Sequence, residues 1–210
     1  MADQKKYLRT VFGECRASLT PEFARSRSIA IQRRLLDFAG YRTARAIALY
    51  SPIQNEVATA LVAADALTSG KEVFFPRLDR ARAAMTMARI RGLSELAVGA
   101  FGITEPASEN EGVAPADLAG AIIVVPGLVF GARGQRLGRG GGHYDRFLAG
   151  LPHEAITVGF AYSFQLLDRV PEGPLDRRLQ YITTESALTR AFEPYARAHD
   201  EVADRGGTPG

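Results

Sequence analysis

The chain has 210 residues, 46% hydrophobic and 23% charged, with 26 Lys+Arg against 23 Asp+Glu and a formal net charge of +3. That length and balance fit one globular domain with room for a full core, and no apolar run reaches the ~18 residues of a membrane helix. A single cysteine excludes a disulfide framework, and the arginines are scattered rather than interleaved with aromatics as a nucleic-acid platform requires, so nucleic acid is not an expected partner.

Residues 1–20 open with an aspartate and two lysines and lack the apolar core and cleavage site of an export signal, so a cytoplasmic setting is expected. Leu8, Val11, Phe12, Cys15 and Leu19 recur at helical spacing, which places Cys15 on the apolar face as a core residue. Lys5 and Arg9 stand four apart and share one face; alone, that pair suits a solvated surface equally well. Thr20-Pro21 caps a second helix, whose stripe of Ile31, Leu35 and Phe38 ends near Gly40.

An α/β alternation follows: a strand over 46–50, a helix over 57–67, a strand over 72–75 closed by Pro76, and a further strand over 85–90. Residues 120–126 contain Ala-Ile-Ile-Val-Val, a run that suits a parallel strand covered on both faces. A short helix to about Ala149 and a strand over 155–161 come next, and a single domain over 1–190 leaves a tail over 191–210 that is expected to fray. In such sheets ligands collect beyond the carboxyl ends of the strands, here the loops after Tyr50, Phe75 and Pro126.

Residues 136–146 read Arg-Leu-Gly-Arg-Gly-Gly-Gly-His-Tyr-Asp-Arg. Gly138, Gly140, Gly141 and Gly142 let the backbone turn with φ > 0 or come close to a ligand, so N–H groups can converge on an anion. Arg136, Arg139 and Arg146 add guanidinium forks suited to phosphate, and Asp145 near the next helix start can hold a divalent cation. The plainer alternative is a tight strand-to-helix connection. A Walker loop is excluded because no lysine or hydroxyl residue stands in place, and a dinucleotide fingerprint because its third glycine would fall at His143.

With Lys5 and Arg9 as further cations and Asp176 as a second carboxylate, these residues point to a nucleotide and magnesium, which needs only one or two carboxylates beside phosphate and water. Zinc would want a His/Cys cluster. Glu56 is expected to open a helix after a strand, where the dipole favours a carboxylate; it can also accept two hydrogen bonds from an amino-pyrimidine edge such as a pterin offers. His143, His153 and His199 are too scattered for a triad, and only His143 sits where it can touch a ligand.

These stretches together resemble the 5-formyltetrahydrofolate cyclo-ligase (methenyltetrahydrofolate synthetase) family. Lys5-Lys6-Tyr7-Leu8-Arg9 is similar to its Lys-x-x-x-Arg helix, and Tyr50, Pro52, Glu56 and Thr59 to its Tyr-x-Pro-x-x-x-Glu-x-x-Thr segment. Residues 102–106 are similar to its Gly-Ile-x-Glu-Pro turn, and residues 125–148 to its most specific run. The resemblance implies a three-layer α/β fold, a mostly parallel sheet flanked by helices on both faces, Rossmann-like and akin to CoA transferases. It implies ATP- and Mg2+-dependent cyclisation of 5-formyltetrahydrofolate to 5,10-methenyltetrahydrofolate, with release of ADP and phosphate. The γ-phosphoryl group passes to the formyl oxygen and N10 attacks the activated carbon, chemistry that rests on positioning and charge neutralisation.

The partners so implied are small molecules, ATP and a reduced folate; a monomer is expected, with a dimer left open. By the same resemblance Lys5, Lys6, Arg9, Arg136, Leu137, Gly138, Arg139, Gly140, Gly141, Gly142, His143 and Tyr144 contact ATP. Glu56, Arg139, Gly140, Gly142 and His143 face the folate, and Asp145 and Asp176 hold magnesium. Arg136, Arg139 and Tyr144, the last between the two ligands, form the catalytic set. Three positions near the expected site depart from the family pattern: Gly131 for aspartate, His143 for the first of two tyrosines, and Gln180 for the aspartate of a Leu-Asp pair. The alternatives are a paralogue acting on another formylated or amide-like substrate, and a non-catalytic folate- or nucleotide-binding module.

Overall fold

The computed structural model describes residues 1–79, 84–99, 103–107, 109–110 and 112–191; Gly102 and nearly all of the tail expected to fray lie outside them. Helices run over Ala2–Ala17 (α1), Pro21–Asp37 (α2), Ala39–Thr43 (α3), Ala60–Thr68 (α4) and His143–Ala149 (α5). Strands run over Ala46–Ala48 (β1), Glu72–Asp79 (β2), Ala84–Ile90 (β3), Leu96–Val98 (β4), Thr104–Pro106 (β5), Gly112–Val113 (β6) and Ile122–Val125 (β7). They continue with Val129–Gly131 (β8), Arg136–Leu137 (β9), Ile156–Phe160 (β10), Leu166–Leu167 (β11), Tyr181–Thr183 (β12) and Leu188–Arg190 (β13).

The main sheet has the order β13-β12-β10-β7-β1-β2-β3-β6, parallel from β12 to β2 and antiparallel at both flanks. At its centre Ile47 pairs with Val73 on one side and Ile122 on the other. Successive side chains point to opposite faces, so the continuous apolar runs serve two cores. Ile47, Leu49, Val73, Ile122 and Val124 pack with Ile31 and Leu35 of α2 and Val62 and Ala66 of α4. Ala48, Phe74, Ile123 and Val125 pack with Phe147 and Leu148 of α5 on the other face. The result is the expected three-layer, mostly parallel α/β arrangement. Among the described residues no helix is long and apolar enough to cross a membrane.

Three local expectations are corrected. The fourth helix starts at Ala60 rather than 57, because the Tyr50 hydroxyl donates to Val57 O (2.6 Å) and the Thr59 hydroxyl donates to Tyr50 O (3.0 Å), which locks the preceding residues into a loop. Pro76 does not close β2, which pairs with β3 as far as Asp79. Leu49 N–H donates to Phe74 O (2.8 Å), so even-numbered residues of β2 face β1, whose pairing ends there; at Pro76 the missing donor faces no strand. Cys15 is exposed. The buried ridge of α1 runs instead through Leu8, Phe12 and Arg16, four apart, with Leu8 and Phe12 packed against Leu128, Val129, Leu137 and Val170.

From β1 the chain passes to β2 on one side and later to β7 on the other. A crevice opens beyond the carboxyl ends of the strands at such a reversal, and the loops after β1 and β7 border it.

Candidate functional site

A cleft of about 510 Å³ occupies this reversal point. Its walls come from α1 (Arg9), the loop after β1 (Ser51, Ile53, Glu56), the turn after β7 (Pro126, Leu128), the glycine loop, the β2–β3 hairpin (Pro76, Met85) and residues 175–177.

The glycine loop leaves β9, which pairs antiparallel with β8, and reverses through Gly140 (φ 104°) and Gly142 (φ 66°) into α5. The Arg136 side chain is only 3% exposed and donates from Nη2 to Asp145 Oδ1 at 2.8 Å. Its Nη1 donates to Pro126 O (3.3 Å), and its guanidinium carbon lies 5.6 Å from the centre of the Tyr144 ring. A Cβ on Gly138 would come within 2.8 Å of Arg136 Nη1, so a side chain there would displace the buried arginine. Arg9 Nε donates to Gly138 O (2.9 Å), which ties α1 to the loop.

One turn earlier on α1, the Lys5 ammonium pairs with the Asp176 carboxylate, whose Oδ2 also accepts from Gly173 N–H (2.8 Å). Burial pushes the Asp176 carboxyl up, but Lys5, the Gly173 N–H and Arg136 together outweigh it and hold the group below its usual value. Asp145 and Asp176 are thus each held through one oxygen, Oδ1 and Oδ2 respectively. Among the described residues no group of three or more His, Cys, Asp or Glu side chains could hold a metal. That donor set fits magnesium with phosphate oxygens better than zinc.

Glu56 does not open a helix: it follows Gln54 (φ 47°) and Asn55 (φ 58°), both in the left-handed region, in the loop before α4. Its Oε2 accepts from Ile53 N–H (3.2 Å), and its Oε1 lies 3.4 Å from Arg16 Nη2 and 3.7 Å from Arg139 Nη2. Burial raises the Glu56 carboxyl above its usual value, against the pull of Arg16, the Ile53 N–H and Arg139. Arg139 also donates to Gln54 Oε1 (2.7 Å).

Tyr144 stands between the two ends of this arrangement. Its ring meets Phe147 edge-on with centroids 6.5 Å apart, and its hydroxyl is buried with no hydrogen-bond partner among the described residues. Burial raises that phenol far above its usual value, so it stays a donor. His143 lines the cleft, with Nδ1 3.2 Å from Arg146 Nη2, which donates to Gly141 O (3.1 Å).

The cleft therefore gathers Arg9, Glu56, Leu137, Arg136, Arg139, Tyr144, Asp145 and Asp176 with the loop glycines, and Lys5 reaches it through Asp176. Lys6 is exposed and is not brought to its lining. Of the three departures only His143 lines the cleft. Gln135 fills the space beside Gly131, where a Cβ would meet Gln135 Oε1 at 2.3 Å. Gln180 exchanges hydrogen bonds with Thr157 near the start of β10, away from the carboxyl ends.

Sequence reading missed Arg16, whose signal was its position seven residues after Arg9 and eleven after Lys5 on the same helix face. It also missed Gln54, Ser51 and Met85, which carry no recognisable motif.

A family model described as the 5-formyltetrahydrofolate cyclo-ligase family matches residues 1–185. The 5-formyltetrahydrofolate cyclo-ligase of Escherichia coli is 28% identical over 175 residues, covering 82% of this chain and 96% of that one. The mitochondrial enzyme of that name from Arabidopsis thaliana is 26% identical over 208 residues, covering 88% and 75%. The solved structure of Aquifex aeolicus 5,10-methenyltetrahydrofolate synthetase superposes with a TM-score of 0.80 at 32% identity, covering 94% of this chain and 98% of that one.

Proposed function

Because the chain belongs to the 5-formyltetrahydrofolate cyclo-ligase family, we propose that it converts 5-formyltetrahydrofolate to 5,10-methenyltetrahydrofolate at the expense of ATP, with magnesium, releasing ADP and phosphate. The observation that carries this reading is a single cleft with a cationic wall at one end, the Glu56 carboxylate at the other, and the Tyr144 hydroxyl between them.

Arg9, Arg136 and the loop N–H groups neutralise the triphosphate, with Lys5 behind Asp176 adding charge at its edge. Asp145 and Asp176 would hold the magnesium ion, which when bound would spread the charge of the phosphate oxygens. The γ-phosphoryl group moves to the formyl oxygen, N10 attacks the formyl carbon, and the C–O bond breaks so that the oxygen leaves in phosphate and the N10 proton passes to solvent. Glu56 accepts hydrogen bonds from the pterin edge, and Tyr144 donates its O–H toward the reacting oxygen. Little covalent work falls to the protein, so positioning and charge carry the rate.

The test is to mix the protein with 5-formyltetrahydrofolate, ATP and magnesium and follow the near-ultraviolet absorbance of the methenyl product. One ADP per methenyl group supports the reading. Folate binding without turnover indicates a binding module instead, and neither binding nor turnover indicates a different substrate.

A further inference from the structure

We propose that Arg16 is the positioning residue for folate recognition: it acts through Glu56, holding that carboxylate and the turn that carries it toward the cleft. The proposal rests on the cyclo-ligase reading above. Arg16 is 2% exposed and heads the largest fully buried side chains. Burying a guanidinium is costly unless its donors are answered. Here they are answered by both loops of the cleft: Nε donates to Gln54 O (3.1 Å), Nη1 donates to Gly127 O (3.1 Å), and Nη2 lies 3.4 Å from Glu56 Oε1.

The turn needs such support. Gln54 and Asn55 sit at φ 47° and 58°, in the left-handed region that residues with a Cβ enter at a cost, glutamine more than asparagine. Asn55 Nδ2 donates to Arg16 O (3.2 Å) and Leu19 O (3.3 Å), so the end of α1 and the turn hold each other.

The two cations near Glu56 differ in kind. Arg139 is 43% exposed and reaches Glu56 from the cleft side, where a ligand must come. When Arg139 turns away, Arg16 stays behind the carboxylate as its counter-charge, so Glu56 can meet the pterin edge ionised and fixed. Arg16 also touches Gly127, next to the Pro126 carbonyl that accepts from Arg136. A merely structural arginine would therefore disturb both ligand sites alike.

The test makes Arg16→Met and Arg16→Lys in the wild-type and Glu56→Gln backgrounds and measures KM for 5-formyltetrahydrofolate and for ATP, with calorimetric Kd for 5-formyltetrahydrofolate. Arg16→Met is expected to raise folate KM and Kd roughly tenfold or more while ATP KM stays within about twofold. In the Glu56→Gln background the same change adds less than about twofold. Arg16→Lys keeps the charge without the fork and gives a smaller shift of the same pattern; it decides alone if the methionine variant does not fold. Effects that multiply in the double variant, equal shifts of both KM values, or an unchanged folate Kd overturn the proposal. Wild-type protein that binds 5-formyltetrahydrofolate without turnover overturns the cyclo-ligase reading and leaves Kd to decide on Arg16; protein that does neither overturns both.

Discussion

Arg136 and Asp145 lie nine positions apart in the chain and 2.8 Å apart in space. On the proposed reading the first faces the triphosphate and the second the metal; the ion pair already joins them, so each keeps the other in place inside a partly buried wall.

Arg136→Ala removes the buried fork, its contact with the Tyr144 ring and the counter-charge of Asp145 in one step. We expect kcat/KM for ATP to fall roughly 100-fold or more, with the far-ultraviolet circular dichroism unchanged. Wild-type turnover in this variant would remove the glycine loop from the site.

Asp145→Asn and Asp176→Asn each keep the shape of the residue and delete a carboxylate charge proposed to face the metal. Each should raise the magnesium concentration for half-maximal turnover roughly tenfold or more. A titration of rate against magnesium checks this, and identical curves for wild type and both variants would deny the carboxylates their role.

Glu56 and Asp176 give opposite pH signatures. Burial raises the Glu56 carboxyl, so on acidification it takes a proton above the ordinary glutamate value of about 4.3, and folate KM should climb there while ATP KM does not. Glu56→Gln should raise folate KM at neutral pH and flatten that climb. For stability, the raised Glu56 favours the folded state at low pH, a contribution lost as pH rises through its folded value. The lowered Asp176 does the reverse: its contribution is present above the unfolded value of about 3.9 and is lost as pH falls through the folded one. Michaelis constants measured from pH 5 to 8 decide the first point.

Gly134 has φ 83°, and a Cβ on it would sit 2.2 Å from Leu179 O. Backbone cannot retreat as a side chain can, and Leu179 N–H donates to Gly134 O (2.8 Å). Gly134→Ala should cost about 2 kcal/mol or more, a fall of roughly 5 °C in Tm for a chain of this size. An unchanged melting curve would contradict the clash.

The glycine loop was legible in the sequence because its signal is local: glycines, arginines and Asp145 fall within eleven consecutive residues. The buried run over 120–126 was legible for the same reason, since β-branched continuity needs no partner to be read. The Lys5 and Arg9 face was half legible, because spacing gives direction but not the neighbour. Arg16 was not, because a charged residue on a helix reads as solvent-facing until its partner Glu56 is known. Neither was the turn at Gln54-Asn55, where two residues with side chains take a conformation that glycine usually signals. Glu56 was found by its chemistry and misplaced in its element, since the Tyr50 and Thr59 hydroxyls that delay α4 act across the loop.

Lys5 and Asp176 meet across 171 positions. During synthesis α1 emerges with the cations at 5, 9 and 16 on one face, and the carboxylate for the first of them is among the last of the described residues to be made. This wall of the cleft is thus finished only when the segment carrying Asp176 has folded back onto α1. If the proposed triphosphate site is correct, a molecule in which that segment has not docked keeps a basic helix without its carboxylate partner, and turnover becomes a readout of complete assembly.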